Sequence, residues 1–136
     1  MTIPGDMRTH NRKVIEEFRA NGGVPDGRAL LLLTTKGRRS GEPRTTPMMF
    51  IPDHDRLLVI ASNAGAPRHP EWYRNLVANP EVTVEITGET YAATAVVPEP
   101  AERDRLFAEV VAKYPFFADH QGQVTRTIPV VVLERR

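Results

Sequence analysis

The amino-acid sequence predicts an α+β domain in which a mostly antiparallel β-barrel carries helices on its outside. Six short segments are apolar, β-branched or alternating and are bounded by turn residues, which is the pattern of six strands. Three of the breaks between them have hairpin length, and hairpins join antiparallel neighbours, so a parallel Rossmann-like sheet is disfavoured. About three segments predict helices, and a closed or nearly closed barrel buries the strands while exposing few edges.

The first element is an amphipathic helix. Val14, Ile15 and Phe18 share one helical face, and residues 21–23 end the segment as a C-terminal glycine signal does. The first strand is predicted at residues 29–36, where leucines and threonines form a run too short for a typical helix. Gly37 ends that strand.

The remaining strands alternate with two further helices. Strands are predicted at residues 44–51, 57–61, 82–86, 90–97 and 128–134, with hairpins at 37–43, 52–56 and 87–89. Pro70 suits the first position of a helix ending at Asn79, and Pro100 does the same for a helix over residues 101–113. A chain of 136 residues buries enough surface for one core, so a single domain over residues 1–136 is predicted.

Composition excludes several classes of protein. The hydrophobic fraction of 40% and charged fraction of 26% predict a soluble globular fold. A net charge of +1 is too small for a general nucleic-acid binder. With no cysteine there is no disulfide or thiolate metal site, and redox chemistry would need a cofactor. Because no apolar run reaches the ~18 residues that cross a bilayer, we expect no integral membrane segment and a cytoplasmic location.

The sequence lacks the common motifs of other enzyme classes. There is no G-x-G-x-x-G after a strand, no Walker A sequence, no G-x-S-x-G and no H-E-x-x-H. Asp53, His54 and Asp55 are adjacent, but neighbours on a hairpin point to different faces, so a solvated turn is favoured and no metal is expected.

Two loops contain the residues that best suit ligand binding. The first, residues 36–44 (the arginine loop), holds two glycines, Ser40 and the cations Lys36, Arg38, Arg39 and Arg44. Glycine backbone N–H groups and guanidinium forks bind anions, although a solvated hairpin explains the same pattern. The second, residues 61–67 (the serine loop), has only small or polar residues before a proline. It permits close approach of a flat ligand, or it is an ordinary connection.

Two further segments leave more than one interpretation open. Trp72 and Leu76 share a helical face, where Trp72 suits either the core or a ligand pocket, and Asn75 suits a cap, a bond to a loop or a ligand contact. The aromatic residues in segment 114–120 fall in a predicted loop. They suggest a lid or pocket wall, or a cluster that closes one barrel end.

Together these segments resemble the deazaflavin-dependent nitroreductase family. The likeness runs from about residue 29 to the C-terminus, which leaves residues 1–28 as a variable N-terminal helix and linker. It is carried by the order and spacing of segments 31–44, Pro47, 61–65, 70–76, 78–80 and 127–131. The resemblance implies a split β-barrel of the flavin reductase type and an oxidoreductase that passes a hydride from reduced coenzyme F420 to an organic acceptor, such as a quinone or nitro compound. We expect a small-molecule acceptor as partner, and a monomer or small homo-oligomer.

The resemblance also implies a set of site residues. Coenzyme binding would involve Thr34, Arg38, Arg39, Ser40, Gly41, Arg44, Pro47, Met49, Ser62, Asn63, Ala64, Gly65, Trp72 and Asn75. The acceptor would lie against Met49, Tyr114, Phe117 and His120. Ser62 and Tyr114 are the catalytic candidates, as sources of the second proton beside solvent. A well-studied subgroup often carries lysine at the position of Asn63 and tyrosines where this sequence has Met49, Phe117 and His120, so activation of nitroimidazoles is not implied.

Three other functions remain open at this level. The same barrel binding FMN would need fewer cations, because FMN has a single phosphate, and the number of arginines favours the deazaflavin. A deazaflavin carrier would share the site without turnover. A small barrel that binds single-stranded nucleic acid is disfavoured, because aromatic residues are only 7% of the chain and cluster away from the arginines.

Overall fold

The computed structural model describes residues 4–24 and 29–136. The helices in these residues are α1 (Pro4–Asn21), α2 (Glu71–Ala78), α3 (Pro100–Lys113) and α4 (Phe116–Gly122). The strands are β1 (Leu30–Lys36), β2 (Pro43–Met49), β3 (Ile51–Asp53), β4 (Arg56–Ile60), β5 (Glu81–Ile86), β6 (Glu89–Val96) and β7 (Val130–Arg135). A short 3-10 turn, Asn63–Gly65, lies between β4 and α2. No helix of the described residues is long and apolar enough to cross a membrane.

The seven strands form one curled antiparallel sheet. Their order is β2-β1-β5-β6-β7-β4-β3, and each neighbouring pair is antiparallel. β2 and β3 are the two edges of the sheet, yet only Phe50 separates them in the chain. The two edges must therefore approach one another, which curls the sheet toward a barrel and confirms the predicted architecture.

The structure differs from the prediction in two elements. The strand predicted at residues 44–51 is two strands, because the chain bends at Phe50 and passes from the partner β1 to the partner β4. The strand count is therefore seven rather than six. The predicted loop at residues 114–120 is wrong, since most of it forms α4 after Pro115. The three predicted hairpins connect β1 to β2, β3 to β4 and β5 to β6, as expected.

Alternation along the strands divides the core into layers. Val131 and Leu133 of β7 face the barrel interior, where Leu76 of α2 joins them. Val130 and Val132 face outward and pack in a second cluster with residues of α3 and α4. A third cluster lies where α1 meets β1. This arrangement places α2 against the interior and α4 on the outside. The serine loop precedes α2 in the chain and contacts α4 in space.

Candidate functional site

The arginine loop is a tight hairpin that is closed by its own backbone. The Gly37 N–H donates to the Glu42 carbonyl and the Gly41 N–H donates to the Gly37 carbonyl, each at 2.8 Å. Gly41 has a φ of 74°, which favours glycine. A Cβ on Gly37 would lie 2.6 Å from the Ser40 hydroxyl, so this position also requires glycine. The two glycines therefore set the shape of the loop that presents its cations.

Asn75 fastens the arginine loop to α2. Its side chain is 5% exposed and donates to the Thr35 hydroxyl at 3.2 Å. Its amide oxygen accepts from the backbone and the guanidinium of Arg38, each at 3.2 Å. Arg38 also pairs with Glu71 at 3.1 Å. Of the three roles open for Asn75, the structure shows a bond to a loop. Trp72 is half-buried and packs against the interior core.

Three cations of the arginine loop remain available to a ligand. Lys36, Arg39 and Arg44 are exposed. Within the described part of the chain, none of them pairs with a carboxylate. Arg44 has only a long contact of 3.5 Å to the Ser40 hydroxyl. Exposed guanidinium and ammonium groups without carboxylate partners suit an anionic ligand.

Thr34 and Pro47 lie on the other face of the sheet. Directly opposite residues of an antiparallel pair share a face, and the register pairs Thr35 with Arg44 but Leu32 with Pro47. Leu32 packs in the cluster beneath α1. Among the residues assigned to the coenzyme, Arg44 therefore lies on the same face of the sheet as Thr35. Thr34 and Pro47 lie on the opposite face.

The serine loop contains a left-handed turn. Ser62 is helical at φ −75° and ψ −28°, and Asn63, Ala64 and Gly65 follow with φ of 51°, 54° and 80°. The Gly65 N–H donates to the Ser62 carbonyl and the Ala66 N–H to the Asn63 carbonyl, each at 3.0 Å. A right-handed residue followed by a left-handed one turns successive N–H groups toward one side, which forms a concave binding site for anions.

The serine loop packs against α4. A Cβ on Gly65 would lie 2.4 Å from Gln123 Oε1 and 3.7 Å from the Cα of His120. His120 Nδ1 is buried and has no hydrogen-bond partner among the residues that the structure describes. The rings of Phe116 and Phe117 lie 5.6 and 5.9 Å from the His120 ring. A buried nitrogen without a partner in this position suits a polar group of a ligand.

The aromatic residues of α4 divide between core and surface. Phe117 is 3% exposed and packs in the second core cluster, where Met49 and Tyr114 are partly buried. Phe116, which the sequence left unassigned, is 42% exposed. The structure thus favours the core interpretation for Phe117 and brings Met49, Tyr114 and Phe117 together in one cluster.

Sequence reasoning missed Arg126, which lies between the serine loop and α4. Its guanidinium group binds three carbonyl oxygens of residues 61–66 and the Nδ1 of His69. Its own carbonyl accepts from Gln121 of α4 at 2.7 Å, and Gln121 Oε1 accepts from Arg103 and the Ile128 N–H, each at 2.9 Å. A single arginine in a short polar segment forms no pattern in the sequence.

His69 closes the serine loop against α2. Its ring lies 4.8 Å from the ring of Tyr73. Burial lowers the pKa of His69 below its ordinary value, and the charges of Arg126 and Arg74 lower it further. The neutral imidazole is therefore favoured, and its Nδ1 accepts the Arg126 N–H.

Comparison with known proteins assigns the chain to a family. Residues 6–135 match the F420H(2)-dependent quinone reductase family. The chain belongs to this family. An F420H(2)-dependent quinone reductase of Mycobacterium tuberculosis is 38% identical to this chain over 116 residues, which are 83% of this chain and 78% of that protein.

Solved structures agree with the family. An F420-H2 dependent reductase, FDR-A, has a TM-score of 0.71 at 36% identity and covers 79% of this chain and 95% of its own. A structure described as a domain-swapped dimer has a TM-score of 0.73 at 34% identity and covers 90% of this chain and 96% of its own. The predicted split β-barrel and the predicted F420-dependent reductase function are confirmed, and F420 rather than FMN is the coenzyme.

Proposed function

We propose that this reductase passes the hydride of reduced coenzyme F420 to a quinone. The proposal rests on the family and on the quinone reductase activity for which its M. tuberculosis relative is named. Reduced F420 supplies the hydride when it is bound, so the protein itself needs no nucleophile. The residues of the chain must bind the coenzyme, orient the acceptor beside it, exclude water and supply a proton.

The assignment of F420 to this site rests on the cations of the arginine loop that have no carboxylate partner among the described residues. Coenzyme F420 has a phosphodiester and an acidic tail, and we assign Arg39, Arg44 and Lys36 to that tail. Arg38 already bonds to Asn75 and Glu71, so we assign it mainly to holding the loop. Charge-assisted hydrogen bonds from two guanidinium groups would then fix the anionic end of the coenzyme.

We assign the serine loop to the deazaflavin end of the coenzyme. The N–H groups of the left-handed turn suit carbonyl oxygens or an anionic ring edge, and the small side chains of Ala64 and Gly65 allow close approach. Asn63 and Ser62 belong to the same turn. Trp72, which is half-buried on α2, completes the pocket wall in this proposal.

On the acceptor side, we assign His120 and Tyr114 to the quinone. A quinone oxygen gains negative charge as the hydride arrives, so a donor such as His120 Nδ1 would stabilise it. The proton that completes the reduction comes from Ser62, Tyr114 or water. Met49, which lies in the same cluster as Tyr114, borders the acceptor, and Phe117 supports it from the core.

We also propose a cytoplasmic protein that is a monomer or small homo-oligomer. The cysteine-free sequence suits a reducing compartment. Size-exclusion chromatography with light scattering measures the assembly.

Nitro compounds are a second acceptor class, supported by the sequence resemblance alone.

Steady-state oxidation of reduced F420, followed by the absorbance of the oxidised coenzyme, tests the function. We expect turnover with a water-soluble naphthoquinone and slower turnover with a nitroaromatic compound. Binding of F420 without turnover on any quinone would contradict the proposed acceptor. Omission of protein and omission of quinone are the controls.

A further inference from the structure

One guanidinium group connects both ends of the serine loop. Arg126 Nη1 donates to the Ala61 carbonyl at 3.2 Å and Nη2 donates to the Ser62 carbonyl at 2.9 Å. Nε and Nη2 donate to the Ala66 carbonyl at 3.2 and 3.0 Å. Nη1 also lies 3.1 Å from Nδ1 of His69. The five N–H donors of an arginine match these five contacts, and the single ammonium of lysine has no such fork.

The loop needs an external constraint. Asn63 and Ala64 are not glycines, yet both have left-handed φ values, 51° and 54°. Non-glycine residues in this region are strained and persist where surrounding contacts determine their conformation. The turn has two backbone hydrogen bonds of its own, from Gly65 and Ala66, and the Asn63 side chain donates to the Arg68 carbonyl at 3.1 Å. Arg126 adds four hydrogen bonds to the carbonyls of Ala61, Ser62 and Ala66.

The charge of Arg126 has no acidic partner. In the residues that the structure describes, no carboxylate pairs with it, and burial lowers the pKa of its guanidinium group. Charged groups of this kind are usually paired with an opposite charge. The Arg126 guanidinium group instead binds backbone carbonyl oxygens, and these bonds fix the conformation of the serine loop.

We propose that Arg126 is a positioning residue that holds the serine loop in the conformation that binds the coenzyme. The proposal rests on the assignment of that loop to the coenzyme. The backbone of Arg126 is also bonded to Gln121, one residue from His120, so the same residue connects the coenzyme loop to the acceptor side. Arg126 acts through Ser62 and Ala66 and contacts no reacting atom in this proposal.

Arg126→Lys tests the proposal, with Arg56→Lys as a matched control. Arg56 is also partly buried and donates from Nε to the Asp53 carboxylate at 2.8 Å, and none of its hydrogen bonds or ion pairs within the described residues reaches residues 61–69 or 120–126. Two measurements are made on each purified variant: hydrogen exchange of amides 62–66 without coenzyme, and calorimetric titration with oxidised F420. We expect Arg126→Lys to exchange these amides about tenfold faster and to bind F420 about tenfold more weakly. Arg56→Lys should change neither measurement.

The outcomes separate the two proposals. Unchanged exchange in Arg126→Lys, or the same change in Arg56→Lys, would overturn the positioning role. Faster exchange with unchanged F420 affinity would instead overturn the assignment of the serine loop to the coenzyme. His69→Leu removes one of the five contacts and should shift both measurements in the same direction by less, while His69→Asn, which keeps an acceptor, should restore them.

Discussion

Replacing Asn75 with alanine should destabilise the fold, because the Asn75 side chain bonds to both Thr35 and Arg38. The change leaves the part-buried Arg38 N–H without its partner, which costs about 1–3 kcal/mol. It also removes the Thr35 bond, worth about 0.5–1.5 kcal/mol, while the Arg38 guanidinium keeps Glu71. Alanine returns up to about 0.7 kcal/mol through its helix propensity. Taken at the middle of these ranges, the net loss is about 2–3 kcal/mol, which is roughly 7–10 °C in melting temperature for a domain of this size.

Chemical denaturation and thermal melts measure this loss. Asn79→Ala is the matched control, because Asn79 lies at the end of the same helix and its side chain makes one exposed bond to the Glu81 N–H. That control should cost less than about 1 kcal/mol. If Asn75→Ala proves as stable as Asn79→Ala, the loop is not held through Asn75 and the reasoning fails.

Three further predictions concern separate parts of the site. Arg39→Ala and Arg44→Ala should each weaken F420 binding about ten- to hundredfold in calorimetric titrations without changing the melting temperature, because neither has a carboxylate partner in the described residues. Phe117→Ala should cost about 3–5 kcal/mol in denaturation, whereas Phe116→Ala should cost about 1–2 kcal/mol, because Phe116 is 42% exposed and its ring packs against the Phe117 ring at 4.3 Å. Because the pKa of His69 is lowered in the folded protein, the unfolded chain binds a proton at this residue at higher pH than the folded protein does. The free energy of unfolding should therefore fall as the pH drops from about 6.5 to the lowered pKa of His69. Below that pKa, His69 should cause no further loss. Melts of the parent and of His69→Asn across this interval measure that difference, and equal slopes would refute it.

The fold was predictable because its signals are local. Alternation and short turns identify the hairpins, and Gly88 has the positive φ that the turn between β5 and β6 requires. The division at Phe50 was missed because it depends on which strand the chain pairs with, and that partner is distant in sequence. α4 was missed because a helix of seven residues is too short to show a clear period.

The site was predictable only where composition marked it. Glycines, arginines and small residues identified the two loops, but the contacts that hold them are far apart in the chain. Asn75 bonds to residues 40 and 37 positions away, and Arg126 bonds to the serine loop from up to 65 positions away. The inward direction of Phe117 follows from a helix that begins after Pro115, which the aromatic pattern alone did not show.

These long-range contacts explain how loops can serve this chemistry. Loops usually move more than the elements they connect, yet hydride transfer requires donor and acceptor atoms in near contact. A protein that contributes no nucleophile must accelerate the reaction largely through position. Asn75 holds the arginine loop to α2, and Arg126 holds the serine loop near α4. On the proposed function, changes at these two residues should therefore disturb coenzyme geometry without removing any group that touches the coenzyme.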